Sequence, residues 1–229
     1  MKRLLALAPA LALLSGCPSF TTMGTARTLP EKKGQFYVAP GYIQLSSFQK
    51  DRDTGEAVSI GLPSIEFGGR YGVTDRVELG GKVWLFGAEL DGKFALLKSD
   101  RLDSGLNLSV APGISYMQFT SGGSGSTNAG YGWLHVPLLI GFGMPGGGEL
   151  TIGPRVSEML VTSGGNTLAV TWLGGSLGYA IRVTEGMRIL PEVTFAYPAA
   201  ASSARSSTVN LEPKGAVFQG GVGFVFGGE

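Results

Sequence analysis

The sequence predicts an all-β protein: a closed, antiparallel, up-and-down transmembrane β-barrel of about ten strands, within a range of 8 to 12. Three observations lead there. First, apolar and polar residues alternate strictly over many runs; in the stretch Ile65–Leu85, Val77, Leu79, Gly81, Val83 and Leu85 form one face and Arg76, Glu78, Gly80, Lys82 and Trp84 the other, which is the two-residue period of a strand. Second, charged residues are only 15% of the chain and 38 of its 229 residues are glycine, against roughly 25% charged and about 7% Gly in ordinary soluble domains. Third, no run of about 18 to 20 apolar residues occurs, so a helical span is excluded and a closed barrel is the remaining way to satisfy a backbone in lipid.

At the amino terminus, Lys2 and Arg3 precede an apolar run, Leu4 to Leu14, and small residues before Cys17. This is the anatomy of a secretory signal. Leu14-Ser15-Gly16-Cys17 resembles the lipobox of bacterial lipoproteins, which implies cleavage after residue 16 and a covalent lipid on Cys17, the chain's one cysteine. With Pro18 rather than Asp next, the resemblance implies the outer membrane. Removal of Lys2 and Arg3 leaves 16 basic residues (18 less 2) against 17 acidic ones. Residues 17–34 are polar and carry Pro18 and Pro30; they read as a lipidated flexible tether, with the barrel domain at 35–229.

Strands are expected at roughly 35–45, 58–70, 76–86, 89–98, 105–118, 131–143, 149–161, 168–183, 187–197 and 216–226. In the eighth, Val170 and Trp172 fall out of phase with Leu177, Tyr179 and Ile181, and a bulge at Gly174-Gly175 would restore the alternation. Tyr71–Asp75, Met144–Gly148 and Thr184–Gly186 read as short turns, whereas 46–57, 119–130 and 198–215 are longer polar links. Short turns at one end and longer loops at the other are a barrel's habit. On these runs, with YGVTDRVELGGKV as the representative unit, residues 35–226 resemble bacterial outer-membrane β-barrels. That resemblance implies a Gram-negative outer membrane, contact with its lipids, and dependence on barrel-assembly and lipoprotein-sorting machinery, with the N-terminus on the periplasmic side.

Alternation alone does not say which face is inside. The bulky set, with Tyr71, Tyr116, Trp172, Tyr197 and Phe226 near strand ends, suits lipid and its aromatic girdles; the other face is small and polar, as a narrow lumen needs. The inverse arrangement is a lipid-anchored soluble barrel with an apolar ligand in its centre. It requires Leu134, Val136, Leu138 and Ile140 to point inward.

With lipid outside, the lumen receives Glu66, Arg70, Glu78, Lys82, Glu89, Asp91, Lys93, Arg155, Arg182, Arg188 and Glu192, five acids against six bases. Mixed signs read as an internal paired network rather than a selectivity ring. His135, the one histidine, falls on the same face near Ser115; an outer-membrane lipid hydrolase using His135 is the remote alternative. Gly141-Phe142-Gly143-Met144-Pro145-Gly146 fits a nucleotide-binding expression but precedes a strand rather than a helix, so it reads as a turn. Ser47-Phe48-Gln49-Lys50 lacks the partner motifs of acyl-transfer enzymes. No metal-ligand spacing exists, and a net charge of +1 without a basic cluster gives no nucleic-acid footprint. The expectation is a non-enzymatic barrel without metal or cofactor other than the lipid, with a structural, adhesive or small-solute pore role. The partner of its external loops is not encoded in any motif.

Overall fold

The computed structural model describes residues 19–50, 57–85, 87–120, 128–163, 166–203 and 215–228. The wall consists of β1 Gly34–Lys50, β2 Ala57–Thr74, β3 Val77–Trp84, β4 Gly87–Leu97, β5, β6 Asn128–Met144, β7 Gly148–Ser163, β8 Asn166–Thr184, β9 Met187–Ser203 and β10 Ala216–Gly227. Strand β5 runs in two parts, Leu106–Val110 and Gly113–Thr120, both lying between β4 and β6. The interruption falls at Ala111-Pro112, where a proline has no N–H for the ladder. Each strand pairs antiparallel with its sequence neighbour, and β10 pairs with β1 from Gln35↔Gly227 to Ser46↔Ala216. The sheet therefore closes as a ten-stranded up-and-down barrel without an edge along most of its height.

Three local expectations are corrected. The corner expected at Tyr71–Asp75 is only two residues, Asp75-Arg76, because β2 continues to Thr74; the Thr74 hydroxyl accepts the N–H groups of Arg76 (3.2 Å) and Val77 (3.0 Å) and caps the turn. Strands at the opposite end run past their expected limits, β1 to Lys50 and β9 to Ser203, since a ladder is held by main-chain bonds and does not need the apolar alternation to continue. In β8 the register to β7 is unbroken from Ala180 to Asn166, so the Gly174-Gly175 bulge is absent. Val170 and Trp172 point inward in phase, and glycine is required at 174 because a Cβ there would collide with the Phe195 carbonyl. Trp172 is thus removed from the outer girdle; Tyr71, Tyr116 and Tyr197 remain exposed.

The face question is settled by exposure. Leu134 is 54% exposed, and Val136 and Leu138 also lie on the outside, with Leu90, Ile114, Leu177, Phe195 and Phe218 on neighbouring strands. An apolar belt around a closed barrel is the exterior of a transmembrane β-barrel. Among the described residues no helix is long and apolar enough to cross a membrane.

Candidate functional site

The lumen is occupied by the chain's own residues 19–33. This corrects the tether expectation for the part that is described; Cys17, the lipobox and the signal segment lie outside the described residues. The segment enters at the end carrying the short turns. Lys32 donates its N–H to the Gly72 carbonyl (2.8 Å) and Gly72 donates to Lys33 (2.9 Å). At Gly72 a side chain would collide with the Pro30 carbonyl, so glycine is what lets the segment lie this close to the wall.

From there the plug, residues 19–33, is buried at 20–24, 26, 28 and 29, and its apolar members Leu29, Ala26, Met23 and Phe20 recur at every third position, all nearly inaccessible. Three of them each centre an apolar cluster. Met23 packs with Tyr37, Ala39, Ala180, Leu190 and Val225. Ala26 packs with Ala111 and Leu139. Phe20 packs with Ile43, Trp133, Ala196 and Val217, backed by Leu45, Leu62, Met159 and Trp172. The Phe20 ring meets Trp133 edge-on at 4.6 Å between centroids and Trp172 at 6.1 Å.

Between these apolar contacts the wall grips main chain. Carboxylate and amide oxygens accept N–H groups: Gln219 from Phe20 (2.7 Å), Glu192 from Thr22 (2.6 Å) and Met23 (2.7 Å), Glu149 from Ala26 (2.6 Å), Glu78 from Leu29 (2.9 Å). Cations donate to carbonyls: Arg155 to Phe20, Lys82 to Thr21 (2.6 Å), Arg70 to Thr22 (3.1 Å), Lys93 to Thr25 and Arg27 (both 3.1 Å). Met23 has φ +43°, a left-handed turn uncommon outside glycine. There two successive N–H groups converge on one carboxylate, as in backbone anion nests. Hydrogen bonds to charged groups contribute about 1.5–3 kcal/mol each where their partners are buried.

The eleven charged residues expected in the lumen sort into two sets. Glu66, Arg70, Glu78, Lys82, Glu89, Lys93, Arg155 and Glu192 are buried and, with the half-buried Asp91, surround the plug. Their ion pairs are Arg70–Asp91 (2.8 Å), Arg70–Glu78 (3.1 Å), Lys93–Glu78 (2.9 Å), Lys82–Glu89 (3.5 Å) and Lys82–Glu66 (3.7 Å). Glu66 also accepts from Ser19 (2.7 Å), Thr21 (2.9 Å) and Gln219 (3.0 Å). Arg182 and Arg188 are half-buried at the turn end. There Arg188 lines a cavity of about 600 Å³ with Arg27, Arg76, Lys98 and Asp75. Burial lowers the Lys98 ammonium below the usual lysine range, and its Nζ donates to the Asp75 carbonyl (2.7 Å).

His135 lies in the lumen, in register with Gly113 and Ser157, its Nε2 3.6 Å from Glu89. Glu149, Gln219 and Asn107 were missing from the expected set although they hold the plug or its anchors; Asn107 donates to Glu149 at 2.9 Å. Glu149 is in phase with Thr151, Arg155 and Ser157 on β7, so the alternation already carried it inward. Of the nucleotide-like glycine run, residues 141–144 end β6 and only Pro145-Gly146 lie in the turn, where Gly146 and the following Gly147 have φ +85° and +80°. Among the described residues no cluster of metal-ligating side chains occurs.

No protein-family model matches the sequence, and no curated protein matches it. Solved barrels do align with it. The outer membrane protease OmpT from Escherichia coli is 10% identical at a TM-score of 0.47, covering 87% of this chain and 98% of its own. The COG4313 outer membrane channel from Pseudomonas putida F1 is 11% identical at 0.43, covering 93% and 100%. The translocator domain of autotransporter NalP from Neisseria meningitidis is 9% identical at 0.42, covering 98% and 93%.

Proposed function

We propose that the chain is a non-enzymatic outer-membrane lipoprotein of Gram-negative bacteria, cleaved after residue 16 and lipidated on Cys17. Its barrel is closed by its own N-terminal segment and serves a structural or adhesive role rather than acting as a standing pore. One observation carries the reading: the interior charges are spent on the backbone of residues 20–29, and Phe20, Met23 and Ala26 fill the space between them. A selective channel needs water and a field of one sign along its axis; this lumen has neither a single sign nor room. The same filling argues against a hydrolase built on His135, because a substrate has no access to that imidazole while the plug is seated. An interior apolar ligand is argued against by the outward direction of Leu134, Val136 and Leu138. Outer-membrane lipids and the assembly and sorting machineries are the expected partners; any adhesion partner would meet the external loops.

The test is planar-bilayer conductance of the purified full chain. The expected result is electrical silence, with steady channels appearing in Thr22→Pro, which removes a main-chain donor from Glu192. Steady conductance in the unmodified protein would overturn the closed-barrel reading. Fatty-acid labelling lost in Cys17→Ala tests the lipid.

A further inference from the structure

The topology brings four cations to one cavity at the turn end. Arg27 comes from the plug, Arg76 from the turn between β2 and β3, Lys98 from the link after β4 and Arg188 from the start of β9. All four line the cavity of about 600 Å³, together with Asp75 and Asp100. Four positive groups against two negative ones leave it an excess of two positive charges. Its volume lies within the range of small-ligand sites, about 300–1,000 Å³. Short turns face the periplasm in outer-membrane barrels, so such a mouth meets periplasmic solutes and the headgroups of the inner leaflet.

These cations are not spent on the acids beside them. Among the described residues Arg27, Arg76 and Lys98 form no ion pair. Arg27 Nη1 donates to the Arg101 carbonyl (2.8 Å) and Lys98 Nζ to the Asp75 carbonyl (2.7 Å); neutral acceptors fix the two heads without cancelling their charge. The Asp75 carboxylate accepts the Glu31 N–H instead (3.2 Å). Glu149, the acid that most offsets the charge of Arg27, is committed to the Ala26 N–H and the Asn107 amide. Arg188 is near enough to act on the charge of Arg27, and Arg27 on that of Lys98. All three are half-buried, so the fold holds like charges together where water screens them incompletely. The main chain at Arg27 is clamped as well, its N–H on Glu149 (3.4 Å) and its carbonyl on Lys93 (3.1 Å). A guanidinium offers five N–H donors in a planar fork that matches phosphate oxygens. Only one of the five on Arg27 is used within the described residues.

We infer that the cavity at the turn end binds a small phosphate-bearing anion between Arg27 of the plug and Arg76, Lys98 and Arg188 of the wall. The anion joins the plug to three separate wall elements and relieves the repulsion among the four cations, so its occupancy locks the base of the barrel. The shared chemistry is a phosphate, carried either by a soluble phosphate ester or by the headgroup of an anionic phospholipid. The inference does not depend on lipidation of the chain.

The experiment titrates the purified full chain, in a zwitterionic detergent that leaves both mouths accessible, with inorganic phosphate exchanged for chloride at constant ionic strength, and reads the heat of binding. The expected result is one saturable site that Arg27→Gln weakens about tenfold or more, the worth of one hydrogen bond to a charged group. Arg76→Gln should weaken it too, and its folding is secure because the Arg76 side chain is exposed and holds no hydrogen bond or ion pair among the described residues. Arg101→Gln removes an exposed charge, paired with Asp103 at 3.4 Å outside the cavity, and should bind as the parent does. Incubation with equal amounts of phosphatidylglycerol and phosphatidylcholine, followed by repurification, tells the sources apart. Phosphatidylglycerol retained over phosphatidylcholine by the parent and lost in Arg27→Gln identifies a headgroup; equal retention beside phosphate binding identifies a soluble phosphate. Binding of neither phosphate over chloride nor phosphatidylglycerol over phosphatidylcholine overturns the inference. So does an Arg101→Gln variant weakened as much as Arg27→Gln, which would mark a diffuse response to net charge.

Discussion

Glu192 and Met23 are 169 residues apart in sequence, and the Glu192 carboxylate accepts the Met23 N–H at 2.7 Å while its other oxygen accepts that of Thr22 at 2.6 Å. Glu192→Ala removes both acceptors and deprives Arg155 of a nearby opposite charge. Breaking one side of a buried charged arrangement costs about 3–5 kcal/mol, so the variant should unfold in less urea than the parent and should conduct in bilayers. Glu192→Gln keeps one acceptor oxygen and should lose less on both measures.

The approach of Pro30 to Gly72 makes a second prediction. Gly72→Ala should lift the base of the plug and break the Lys32 and Lys33 bonds to β2, whereas Gly186→Ala, where a Cβ meets nothing, should stay within about 0.5 kcal/mol of the parent. Comparing the two in a protease-protection assay on residues 19–33 separates a plug effect from a general glycine effect; equal protection in both would count against the contact.

Phe20 closes the plug against two indoles. Phe20→Ala should cost about 3–5 kcal/mol and shift tryptophan emission, because Trp133 and Trp172 lose the ring at 4.6 and 6.1 Å. An unchanged emission spectrum would mean that the ring is not seated between them.

On the outer face, Leu134→Arg places a charge in the apolar belt. The expected penalty is about 2–4 kcal/mol near the bilayer midplane, less toward the interfaces, read as reduced refolding into lipid vesicles. A soluble barrel would instead refold better with the added charge, which makes the sign of the effect decisive.

The barrel was legible in the sequence because a wall between lipid and a polar lumen writes a two-residue period into every strand; Val77 to Leu85 and Leu134 to Phe142 show it without ambiguity. The charges of the lumen were legible for the same reason. Their purpose was not. Residues 18–34 lack the period of strand or helix, and their polarity matches a linker; only the spacing Phe20, Met23, Ala26, Leu29 marks a segment that is enclosed on all sides. Carboxylates that bind main-chain N–H groups leave no complementary side chain in the partner segment, so Glu78 and Glu192 read only as members of a paired charge network and Glu149 was not singled out. Trp172 was misplaced because a large apolar residue at a strand end fits a lipid girdle and a lumen cap equally well, and the choice depends on Phe20, 152 positions away.

The grip on backbone has a consequence for drift. Most wall contacts to residues 20–29 end on main-chain atoms, so they are indifferent to the side chain that each position carries; the exceptions are Thr21, Thr22 and Thr28, whose hydroxyls bond Glu66, Arg155 and the Asp75 carbonyl. The excluded residue is proline at positions 20, 22, 23, 26 and 29, whose N–H groups the wall requires. Proline at Thr22, outside the apolar clusters, therefore tests the loss of a main-chain donor most directly.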